Sequence, residues 1–128
     1  MKLEMYLVLA AALTVVQVLV AVMGAFTQVG LMKLVGNRDD MPKLTGWAGR
    51  AERAHLNMLQ NLVLFAALVF VAVTTGKTNE TVLLGAQLFL WGRVGYAAIY
   101  LAGLPWLRTL SWFVSVIGLV IIFAQLVK

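Results

Sequence analysis

Apolar residues come in four long runs along this chain, about Met5 to Met32, Trp47 to Thr75, Thr81 to Ala102 and Trp106 to Val127. Each exceeds the roughly 20 residues that a helix needs to cross a bilayer. The first is long enough to cross with tilt. Its apolar stretch is too long for a removable signal peptide, and it lacks a convincing cleavage site. Breaker residues separate the runs: Gly36-Asn37-Arg38-Asp39-Asp40 with Pro42, then Gly76-Lys77-Thr78-Asn79-Glu80, then Gly103-Leu104-Pro105. The pattern predicts an all-α integral membrane fold, a bundle of four transmembrane helices in a single domain over 1–128. No internal repeat or low-complexity tract interrupts it.

The polar residues inside the runs fall at helical spacings, so that each run carries a polar stripe. Arg53, Asn57, Gln60 and Asn61 share a face of the second run, with His55 almost opposite. Arg93, Tyr96 and Tyr100 line up on the third. Arg108, Trp112 and Ser115 do so on the fourth, with Thr109 beside them. Gln17, Gly24 and Gln28 make a weaker stripe on the first. Hydrocarbon offers these groups no partners, so the stripes are expected to turn inward or toward a partner subunit. Four helices provide little cover for them, which predicts a homotrimer.

Arg93 stands out within this pattern. It is the only charge between Thr81 and Leu104, about nine residues from the end of its run, or roughly 14 Å. The acids Glu4, Asp39, Asp40, Glu52 and Glu80 all fall at run ends or in connectors. A charge near mid-membrane costs roughly 2.5–3.5 kcal/mol even on lenient scales. Water, carbonyls, an aromatic face or an anionic ligand must offset that cost. Arg53, Asn57, Tyr100 and Arg108 lie toward the same membrane side, so one cavity opening there is expected to include all of them. Structural readings stand beside these: amides bonding between helices, aromatics at the interface, and Arg53 and Arg108 snorkelling to the headgroups.

Composition narrows the chemistry. The chain has 128 residues, 62% hydrophobic and 12% charged. It lacks cysteine and has one histidine, so it supplies neither a thiol nucleophile nor a multi-histidine metal site. Its net charge is +5, but the basic residues are scattered, which argues against nucleic-acid binding. Lys33, Arg38, Lys43, Arg50, Arg53 and Arg108 fall on one side, and Lys2, Lys77 and Lys128 on the other. That bias places the first and third connectors in the cytoplasm and both termini outside. A small proton-coupled drug transporter would need a carboxylate inside a span. The first run offers only Gln17 and Gln28.

Arg53-Ala54-His55-Leu56-Asn57-Met58-Leu59-Gln60 resembles the Arg-Ala-His-x-Asn-x-x-Glu signature of the MAPEG family, the membrane-associated proteins in eicosanoid and glutathione metabolism. Gly92-Arg93-Val94-Gly95-Tyr96 with Tyr100, and Pro105-Trp106-Leu107-Arg108-Thr109-Leu110-Ser111, match further in order and spacing. The resemblance covers essentially the whole chain. It implies a homotrimer in the membrane, here a bacterial inner membrane, with glutathione as co-substrate between subunits near the cytoplasmic side. The implied activity is a glutathione-dependent transferase or peroxidase acting on lipophilic electrophiles or hydroperoxides. A non-catalytic binding or scaffold protein is the alternative. Carried over by motif, glutathione binding falls to Arg53, Asn57, Gln60, Arg93, Tyr96 and Tyr100, and thiol activation to Arg108 and Thr109. The chain departs from the pattern at Gln60, where Glu is usual. It also departs at Leu56 and Gly30, in the places of basic residues, and at Trp112, where Tyr is frequent. These departures suit a divergent bacterial-type member.

Overall fold

A computed structural model describes residues 1–128, all in helices or short connections. The helices are α1 Leu3–Val29, α2 Leu31–Val35, α3 Gly46–Thr75, α4 Glu80–Ala102 and α5 Pro105–Leu126. Helices α1, α3, α4 and α5 are each long and apolar enough to cross a membrane. The three later spans begin and end within one residue of the expected positions. The first does not. Helix α1 stops at Val29, because Gly30 turns to φ 80 and ψ 167, and the short α2 starts afresh. Leu31 and Met32 continue the apolar run past the break, so hydropathy extends the span to Met32 where the backbone does not.

Local chemistry explains the other boundaries. Gly76 ends α3 in the left-handed region at φ 73, and its N–H donates to the carbonyls of Ala72 and Val73. Asn79 caps α4, its side-chain oxygen accepting from Val82 N at 2.9 Å. Gly103, at φ 83, ends α4, and Pro105 opens α5, where its missing N–H removes nothing the helix needs. The last two spans are thus joined by Gly103 and Leu104 alone. On the opposite side of the bundle, Lys77 Nζ donates to the carbonyls of Leu126 and Lys128 at 3.1 Å each, covering the free carbonyls at the end of α5.

Small residues set the helix spacings. A side chain at Gly118 on α5 would run into the carbonyl oxygen of Gly85 and lie 2.7 Å from Phe89 N on α4. One at Gly92 would lie 2.8 Å from Ser115 N. Helices α4 and α5 therefore touch backbone to backbone, as small residues allow in membranes. Gly24 does the same for α1 and α3, where an added Cβ would lie 2.8 Å from Ala48 Cβ. That fits a packing role for the glycine of the α1 stripe. Next to it, the Gln28 amide clasps Thr45, donating to its carbonyl at 2.7 Å and accepting from its N–H at 3.0 Å.

The core lies between α3 and α4, where Phe65 and Phe89 stack with centroids 4.1 Å apart. Met58, Val82, Ala86 and Ile122 pack around them, fully buried. Gln87 is satisfied across the bundle, donating to the Tyr6 hydroxyl at 3.0 Å. The outside is apolar, with Val15, Leu19, Val63, Phe70, Trp91 and Val120 all exposed. Such a surface needs lipid or another membrane protein against it.

Candidate functional site

Where α3 begins, α4 ends and α5 begins, the chain surrounds a cavity of about 300 Å³. Arg50 and Arg53 reach it from α3, Tyr100 from α4 and Arg108 from α5, around the Gly103–Pro105 turn. No carboxylate lines it. Arg50 and Arg53 are one helical turn apart, which puts both on one face of α3. The Pro105 break then brings the first turn of α5 back over the end of α4, delivering Arg108 to the same place.

Tyr100 organises these cations. Arg53 Nε donates to its hydroxyl at 2.9 Å. The Arg108 guanidinium carbon lies 4.6 Å from its ring centroid, and that of Arg53 lies 5.8 Å away. Arg50 is fixed separately, its Nε donating to the Leu101 carbonyl at 3.1 Å. Each contact uses only part of a guanidinium, which has five N–H donors. The remaining donors are free to meet an anion in a planar, two-point manner.

Arg93 lies deeper. It is 1% exposed, and Nε and both terminal nitrogens lack a hydrogen-bond partner. Its guanidinium carbon sits 4.3 Å from the Tyr96 ring centroid. Tyr96 in turn meets Tyr100 edge to face at 5.4 Å. An aromatic pair thus links the buried cation to the cation cluster at the mouth. Arg93 precedes Tyr100 by two helical turns, about 10 Å, and it does not line the cavity. The single cavity expected from the stripes is therefore a mouth with Arg53, Tyr100 and Arg108, and a separate enclosed cation behind Tyr96.

The other stripe residues fall outside the mouth. Asn57 is half-buried and accepts from Asn61 Nδ2 at its backbone oxygen at 2.9 Å and its side-chain oxygen at 3.2 Å. Gln60 is exposed on the surface of α3. Thr109 is half-buried, and its hydroxyl donates to the Pro105 carbonyl at 3.2 Å. Trp112 packs on the cluster of Ala54, Tyr96 and Tyr100. Ser115 donates to the Trp112 carbonyl at 2.7 Å. Arg50, which by sequence reads only as an orientation signal, lines the cavity. Its three-residue spacing from Arg53 was the available clue.

An aromatic-backed cluster of arginines facing no acid has the charge and the free N–H donors to receive a small anion. A cation near a bound thiol also favours the thiolate, the nucleophilic form. No match was found among curated proteins or among solved structures. Among protein families, residues 3–128 match the MAPEG family, a span that takes in all four membrane helices and every arginine of the cluster. The chain therefore belongs to the MAPEG family.

Proposed function

We propose that this protein is a membrane-bound, glutathione-dependent transferase or peroxidase acting on lipophilic electrophiles or hydroperoxides. The observation that carries the reading is the acid-free cavity in which Arg50, Arg53 and Arg108 gather around Tyr100. Glutathione brings two carboxylates for such cations, and the thiol that the cysteine-free chain lacks. Arg53 and Arg50 serve the carboxylates, and Arg108 lies closest in role to the sulfur. Asn57 and Gln60 add polar groups once a second copy covers α3, while Arg93 and Tyr96 back the cavity from inside the bundle through Tyr100. Exposed Arg53 and Gln60 on a membrane helix support that cover, and with it a homotrimer.

In the transferase reaction the thiolate forms a carbon–sulfur bond as the electrophile's leaving group departs with its bonding pair, or as a conjugated C=C π bond breaks and the neighbouring carbon takes up the proton lost by the thiol. In the peroxidase reaction the hydroperoxide O–O bond breaks. Two glutathiones then give their disulfide, with one alcohol and one water released. Calorimetry with detergent-purified protein tests the reading. Glutathione is expected to bind and its diester to bind much more weakly, with a trimer as the main species by mass. Absence of binding to the intact oligomer, or a monomer as the sole species, overturns it. The scaffold alternative retains one point in its favour: the Thr109 hydroxyl is already given to Pro105.

A further inference from the structure

A second concavity lies on another side of the bundle. It is a groove of about 250 Å³ between α1 and α4, with Ala51 and Ala54 of α3 as its floor. Val16, Val20, Val94 and Ala98 belong to its walls, and nine of its ten lining residues are hydrophobic. The exception is Gln17. Its side chain is 8% exposed, and its Oε1 is buried with no hydrogen-bond partner. A buried amide oxygen without a partner has lost the hydrogen bonds that water gave it, which a bound donor would restore.

Depth restricts what can satisfy it. Gln17 is twelve residues from the Val29 end of α1 and fourteen from Leu3, so about 18 and 21 Å from the ends. Along α1 this is near the middle of the span. Ala51 and Leu101, which line the same groove, lie five and one residues from the ends of α3 and α4, so the groove runs inward from one membrane face to Gln17. Headgroups belong at the Leu101 end, and hydrocarbon at the Gln17 end. An unmodified acyl chain reaches it but carries no polar group there. A hydroxyl on the chain would reach it, and a hydroxyl both donates and accepts, so it pairs with either end of an amide.

The groove does not face the side of α3 that needs cover. The groove floor is the buried side of α3, at Ala51 and Ala54. The side of α3 that needs cover, at Arg53 and Gln60, is exposed and points away. The rim residues Val16, Val94 and Ala98 are exposed as well. A partner subunit placed over the polar stripe therefore does not itself occupy the groove, and the exposed rim is open to lipid in the single chain. The groove's volume is slightly below the roughly 300–1,000 Å³ typical of pockets for whole ligands, and suits a segment of one chain.

We propose that the α1–α4 groove is a lipid-facing binding site for a single acyl chain bearing a mid-chain hydroxyl, held by the Gln17 amide. The site stands apart from the arginine cavity and does not rest on the glutathione reading. Native mass spectrometry of the detergent-solubilised protein tests it, with 12-hydroxyoctadecanoic acid, 2-hydroxyoctadecanoic acid and octadecanoic acid as probes. The 12-hydroxy acid is expected to bind about 2- to 10-fold tighter than the others, the net worth of one neutral hydrogen bond. Gln17→Met, similar in length but apolar, is expected to erase that preference while keeping the chain bound. Ala98→Phe, a change at the exposed rim, is expected to weaken all three acids, and serves if Gln17→Met does not fold. Equal binding of the three acids to the unmodified protein overturns the proposal. So does a 12-hydroxy preference that survives Gln17→Met, or undiminished binding of all three acids to Ala98→Phe.

Discussion

The Arg93 guanidinium lies 4.3 Å from the centre of the Tyr96 ring and has no hydrogen-bond partner at any of its nitrogens. A cation–π contact offsets only part of the cost of a buried charge, about 2 kcal/mol when desolvated. The residue is therefore left with unused donors inside the bundle. Replacing an unpaired buried charge by an apolar side chain of similar volume is often neutral or stabilising. Arg93→Met is thus expected to leave the unliganded protein at least as resistant to unfolding. If Arg93 supports the anion site, the same variant binds glutathione about 10- to 100-fold more weakly, as loss of a charge-assisted bond implies. Unfolding curves with and without glutathione separate the two effects. Undiminished stabilisation by glutathione would remove Arg93 from the site.

The α4–α5 seam gives a stability prediction. At Gly118 an added side chain meets the Gly85 carbonyl oxygen and Phe89 N, both of them backbone. Backbone atoms in two packed helices have little room to yield. Gly118→Val is expected to destabilise by at least about 1–3 kcal/mol, the usual range for overpacking. Ala124→Val, on the exposed side of α5, is the control and should change little. Denaturant titration in a fixed detergent measures both. Equal stability of the two variants would show that the helices separate easily here.

These two cases also show what the sequence makes legible. The ends of α3, α4 and α5 are marked by Gly76, Asn79, Gly103 and Pro105, residues whose backbone or capping chemistry is local. Gly30 acts in the same way but sits inside an apolar run, so hydropathy hides it. Helical spacing placed Tyr100, Arg53 and Arg108 on faces that do converge. It does not say which way a long side chain leans, and so joined Arg93 to the mouth when Tyr96 stands between them. Nor does it see that the Thr109 hydroxyl is spent one turn back on Pro105. Arg50 shows the opposite error, since a basic residue near a membrane edge reads first as an orientation signal.

Orientation is open to direct measurement, because the chain has no cysteine. Single cysteines at Asn37 and Thr78, both exposed in connectors on opposite sides, can be labelled without background. The Lys and Arg bias predicts a cytoplasmic Asn37. With a membrane-impermeant maleimide on intact cells, Thr78→Cys is expected to label and Asn37→Cys only after permeabilisation. The reverse pattern would put the arginine cavity on the outer side, away from cytoplasmic glutathione.

On the proposed reading, thiol activation falls to the cation cluster. Arg108 lies over the Tyr100 ring with no acid lining the cavity, so its charge is available to a bound thiolate. Thr109 is on the same turn of α5, but its hydroxyl already donates to the Pro105 carbonyl. The two residues named together for this role are therefore expected to differ. Arg108→Leu should raise the pKa of protein-bound glutathione toward the free thiol value, near 8.5 for an ordinary cysteine thiol. Turnover with a lipophilic electrophile should fall with it, while the oligomer persists. Thr109→Val removes only a local bond and should leave that pKa nearly in place. Titration of the thiolate absorbance at saturating glutathione reads all three proteins directly. If Thr109→Val shifts the titration as far as Arg108→Leu, the hydroxyl must turn from Pro105 to the sulfur when glutathione binds. If bound glutathione titrates like the free thiol in the unmodified protein, no activation occurs and the family fold serves binding alone.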